Sequence, residues 1–149
     1  MVVVDDTPEC ARAIHFAARR ASRTGASMVM LAAVDPPDNF EWLGVGEAMV
    51  AEAKEAAYKR LEEAAKEARS AAGLEPEQVI MVGDKAGSIA KLIAEDEDIS
   101  FLVLAAGTGK EGPGPLVSTI AGKAASTFPI PIVIVPGSLS DEEIDALAG

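Results

Sequence analysis

Phe101-Leu102-Val103-Leu104-Ala105-Ala106-Gly107-Thr108-Gly109-Lys110-Glu111-Gly112-Pro113-Gly114-Pro115 runs from an unbroken apolar stretch into a loop with four glycines. Apolar residues without polar alternation read as a strand covered on both faces, the mark of a parallel sheet. Working outward from strand 100–105, similar short runs recur at about 1–5, 27–34, 78–82 and 131–135, with segments of helical period between them. Strands alternating with helices predict an α/β fold: a single doubly wound five-stranded parallel sheet, with strand order 3-2-1-4-5 and helices on both faces. Ligands of such sheets sit at the carboxyl ends of the strands flanking the switch point. Here that is the crevice between the end of strand one, Asp5-Asp6-Thr7, and the loop after strand four.

Thr7, Pro8 and Glu9 read as the N-cap, first residue and first-turn acid of a helix that runs to about Thr24 and is stopped by Gly25. Cys10, Ile14, Ala17, Ala18 and Ala21 form its apolar stripe. A long second helix, about 46–72, carries Val50, Ala53, Ala57, Leu61, Ala64, Ala68 and Ala71 at spacings of three and four, an alanine-rich stripe that can approach a sheet closely. A third helix (about 86–96) buries Ile89, Leu92 and Ile93, and a fourth (about 115–126) starts at Pro115. Ser140-Asp141-Glu142-Glu143 has the form of a capping box and opens a short terminal helix at about 140–148.

The 149 residues, 49% hydrophobic, suit one core, so residues 1–149 are expected to form a single domain. A net charge of −11 repels phosphate backbones and anionic leaflets, which argues against nucleic-acid and membrane partners. No apolar run reaches the roughly 18 residues that a membrane span needs, and Met1-Val2-Val3-Val4-Asp5 reads as a first strand rather than an export signal. Cys10 is the sole cysteine, which excludes an internal disulfide and suits the cytoplasm. His15 shares its helix face with Arg12, Arg19 and Arg23 and reads as a solvated histidine. With one His and one Cys on the same helix, neither a nucleophile–base pair nor a metal set is evident, so no catalytic residue and no metal is expected. Phe40, Trp42 and Leu43, before the second helix, read as packing residues, and Lys110 as a solvated loop lysine.

Val2-Val3-Val4-Asp5 with Thr7 and Glu9, Val34-Asp35, Val82-Gly83 with Ile89, Ile99 to Leu104, and Phe128 to Val135 together resemble the universal stress protein family over nearly the whole chain. The resemblance implies a small stress-response protein that binds an adenine nucleotide, ATP or AMP, and dimerises through its fifth strand. It places Asp5 beside adenine and ribose, Thr7 next to it, and Val34 in the adenine pocket. In the family, the loop after strand four holds a glycine, two residues, a second glycine, nine residues, then a glycine followed by Ser or Thr. Anchored on the flanking strands, those glycines fall on Ala105, Thr108 and Ser118, with Thr119 at the hydroxyl. All three glycines are missing. A literal match to the spacing at Gly109, Gly112 and Gly122 is followed by Lys123 and would put Gly122 inside the fourth helix.

Two readings stay open. Gly107, Gly109, Gly112 and Gly114 can offer amides to phosphate, and Ser118 and Thr119 hydroxyls, with the helix start adding its dipole; Pro113 and Pro115 remove two donors. Alternatively the chain is a dimeric interaction protein of the same fold that binds no nucleotide. A nucleotide hydrolase using the same crevice has no evident general base. A receiver-like signalling domain, suggested by Asp5-Asp6, is opposed by Val135-Pro136-Gly137 where that fold ends strand five on a lysine.

Overall fold

Val2 and Val4 point into one apolar cluster and Val3 into another, the period-two alternation of a strand covered on both faces. A computed structural model describes residues 1–36 and 45–149, Val45 by its backbone alone; Phe40, Trp42 and Leu43 lie outside the described residues. Strands β1 (Val2–Val3), β2 (Val29–Val34), β3 (Glu77–Val82), β4 (Leu102–Ala106) and β5 (Ile132–Pro136) form one sheet in the order β3-β2-β1-β4-β5. Every pairing is parallel, with Val2 opposite both Met30 and Val103. The helices are α1 (Cys10–Thr24), α2 (Val45–Ala72), α3 (Lys85–Glu95), α4 (Pro115–Ala121) and α5 (Asp141–Leu147).

One side of the sheet packs on α1 and α2 through Ile14, Ala18, Ala57, Leu61 and Ala65. The other packs on α3 and α4 through Ile89, Ile93, Val117 and Ile120. The α2 stripe is largely as expected, with Ala57, Leu61, Ala64 and Ala68 buried and Ala53 and Ala71 at its margins. Alanine lets this helix lie close to β2 at little side-chain entropy cost. α5 returns to the α1 side, where Ile144 is fully buried, and its expected capping box is formed between Ser140 and Glu143.

Three local expectations need correction. Thr7 does not cap α1: the cap position is Glu9, with no side-chain cap bond. The Thr7 hydroxyl and amide instead both donate to Asp5 Oδ1, at 2.5 and 3.1 Å, which closes an Asx-type turn two residues ahead of the Glu9 cap position. β1 stops at Val3, although the Val4 amide still donates to the Leu31 carbonyl at 2.8 Å. The fourth helix does not run to 126 with Gly122 inside it. It ends at Ala121 and continues after Gly122 as a 3-10 turn, Lys123–Thr127. A Cβ on Gly122 would stand 2.6 Å from the Ser118 carbonyl oxygen, so glycine permits the tight break. The end of α1 is as expected: Gly25 takes φ 72° and donates its amide to the Ala21 carbonyl.

Candidate functional site

The chain reverses direction between β1 and α1 through Asp5-Asp6-Thr7, and opposite it the β4–α4 loop leaves the sheet. A cavity of about 390 Å3 lies between them, with α3 closing its third side. Its position is the carboxyl-end crevice expected where the strand order reverses, and its volume falls within the usual range for small-molecule sites. A second concavity, of about 430 Å3, lies behind the Asp5–Thr7 turn between α1 and α2 and is more open to solvent.

Asp5 is the polar centre of the crevice. Its Oδ1 accepts both Thr7 donors, and its Oδ2 pairs with Lys85 Nζ at 3.1 Å. Burial alone would raise the pKa of Asp5. The Thr7 bonds and the Lys85 ammonium outweigh it and hold the carboxyl below the usual range. Lys85 is the first residue of α3, whose N-cap Asp84 accepts the Gly87 amide at 2.9 Å. Sequence reasoning missed Lys85. The signal available was its place just after the Val82-Gly83 turn, where a helix start faces the same crevice.

Of the residues expected at the site, Asp5, Thr7, Gly114 and Thr119 line the cavity. Val34 is buried on the α2 side of the sheet. The Gly107 amide donates to the Pro113 carbonyl at 3.0 Å and the Gly112 amide to the Gly109 carbonyl at 3.1 Å, so two of the expected anion donors are engaged within the loop. Gly109 is exposed, as is Ser118, whose amide bonds back to Gly114 in the helix. Thr119 Oγ1 donates to the Pro115 carbonyl at 2.8 Å, leaving only its acceptor capacity. Lys110 is exposed and does not line the cavity. Besides Lys85, the ionisable lining residues not expected at the site are Glu9, Asp35 and Cys10. Burial, with the Asp5 and Glu9 carboxylates adding to it, pushes the Cys10 thiol up to about 11, which keeps it from acting as a thiolate.

His15 is not solvated. It is only 7% exposed, with Nε2 2.8 Å from Asp145 Oδ1 and Nδ1 3.4 Å from Glu67 Oε1. Arg12 pairs with Asp141 at 2.7 Å, and Arg19 Nε lies 3.0 Å from Asp145 Oδ1 without hydrogen-bond alignment. The carboxylates of α2 and α5 thus convert a polar face of α1 into an interface. None of these groups lines the crevice. Among the described residues no cluster of three metal-ligating side chains occurs, and no helix is long and apolar enough to cross a membrane.

No curated protein matches the sequence. Among solved structures, the universal stress protein UspA of Lactobacillus plantarum superposes with a TM-score of 0.73 at 16% identity, over 90% of this chain and 95% of that one. A universal stress protein of Archaeoglobus fulgidus gives 0.62 at 20% identity over 90% of each chain. A universal stress protein crystallised in complex with cAMP gives 0.59 at 18% identity, over 93% of this chain and 98% of that one. At these identities the superpositions establish the fold. The family model of the universal stress proteins matches residues 1–136, from β1 through the last strand, and the chain belongs to the universal stress protein family.

Proposed function

We propose that this chain is a stress-response protein of the cytoplasm that binds an adenine nucleotide in the crevice between β1 and β4, and that it binds without catalysing. The observation that carries the reading is the Asp5 carboxylate, kept ionised by Thr7 and Lys85 in the lining of a cavity of about 390 Å3. An ionised carboxylate in such a place accepts hydrogen bonds from ribose hydroxyls or an exocyclic amine. Thr119 and Gly114 supply acceptor and backbone contacts on the opposite wall. The relative solved with cAMP supports the ligand class. The placement of His15 between three helices, and of Cys10 as a high-pKa thiol, supports binding over catalysis.

A homodimer through β5 belongs to the same proposal. β5 is an edge strand with Ile134 38% exposed, and an apolar edge of this kind calls for cover. The second reading, a dimeric interaction protein without nucleotide, is favoured by the engaged amides of Gly107 and Gly112. Calorimetric titration with adenosine, cAMP, AMP and ATP decides between them: heat saturating at one site per chain supports the nucleotide reading, and no heat with any of the four at millimolar concentration removes it.

A further inference from the structure

The crevice is unusual in its charge. Among the described residues its charged walls are Asp5, Glu9, Asp35 and Lys85, so one ammonium faces three carboxylates and is already paired with Asp5. Glu9 lies against the loop that follows β4. A Cβ on Gly107 would stand 3.3 Å from Glu9 Oε1, and one on Gly137 would stand 2.9 Å from Glu9 Cβ. The Glu9 side chain therefore runs between two stretches of bare backbone, at the root of the segment over which a phosphate chain would lie. Among the described residues Lys85 pairs with Asp5, and the Glu9 carboxylate forms neither an ion pair nor a hydrogen bond.

The loop offers backbone at Gly114 but no cation that lines the cavity. The Gly107 and Gly112 amides are engaged internally, Pro113 and Pro115 have none, and α4 is only seven residues long with proline at its start. We propose that Glu9 sets a charge ceiling on the crevice, which accepts adenosine or an adenosine ester carrying a single negative charge and rejects di- and triphosphates. The inference rests on the crevice reading above and narrows its ligand. Asp5 and Glu9 then serve as acceptors for ribose and amine donors, while the further phosphate charges of a di- or triphosphate are placed against an unpaired carboxylate in a partly desolvated site, at a combined cost of about tenfold in affinity or more.

The test is a set of titrations in the presence of a chelator, at fixed ionic strength, with adenosine, cAMP, AMP and ATP. The unmodified protein should bind adenosine and cAMP at least about tenfold more tightly than ATP, with AMP between them. In Glu9→Gln, ATP should gain about tenfold while adenosine moves by less than about threefold. ATP binding as tight as adenosine in the unmodified protein overturns the charge ceiling and leaves the crevice reading standing. The expected ranking with no response to Glu9→Gln overturns the assignment to Glu9. No binding of any of the four overturns the crevice reading and the ceiling with it. The ranking in the unmodified protein stands on its own should the variant fold poorly.

Discussion

Lys85 joins Thr7 in holding Asp5 ionised, and Asp5 and Lys85 are joined across the crevice from different strand ends. Lys85→Met should move the Asp5 titration upward, because burial then opposes ionisation with Thr7 alone against it; carboxyl carbon shifts followed against pH read this directly. The same depressed pKa ties stability to pH. The folded state holds Asp5 ionised below its unfolded value of about 3.8, so this contribution is fully present above that pH and is lost as pH falls through the lower folded value. Asp5→Asn should therefore flatten the acid limb of the stability curve, and a variant as acid-sensitive as the parent would contradict the assignment. Asp5 and Thr7 were legible as a strand-end pair because they are neighbours in the chain. Lys85, eighty residues from Asp5, was not. His15 failed for the same reason: an amphipathic projection places it beside arginines, and nothing local announces carboxylates 52 and 130 residues away.

At the scale of elements, the strands and most helices followed from period and punctuation, whereas ends governed by competing hydrogen bonds did not. Thr7 closes a turn onto Asp5 and the α1 cap falls at Glu9, and Gly122 broke α4 through a close approach that no propensity reveals. Gly122→Ala should destabilise the protein by about 1–3 kcal/mol in urea unfolding, since its methyl meets a carbonyl oxygen rather than a side chain that can yield. Leu61→Ala on α2 should cost about 2–5 kcal/mol, because Leu61 is fully buried among alanines that cannot expand to fill the space. For α5, Ser140→Ala removes the cap on the Glu143 amide and should cost about 1 kcal/mol. His15→Ala should loosen the same helix by leaving Asp145 and Glu67 without their shared partner. Hydrogen exchange in α5 that rises in both variants, with the sheet unchanged, supports this joint, and unchanged α5 protection contradicts it.

For the whole molecule, strand order and the place of the crevice were readable from the alternation of apolar runs, while the character of the crevice emerged only when β1, α3 and the β4–α4 loop were brought together. The acidic balance of the chain, −11 overall, extends into the cavity itself. If β5 pairs with its symmetry mate, sedimentation should report a dimer at micromolar concentration and Ile134→Lys should shift it to monomer; a monomeric parent would remove that part of the account. The central claim is that the ligand sits between β1 and β4, and amide NMR titrated with cAMP tests it most directly. The account predicts saturable shifts concentrated at Asp5, Thr7, Lys85, Gly114 and Thr119. Shifts confined to the α1–α2 side or to the β5 edge, or none at millimolar ligand, would contradict it.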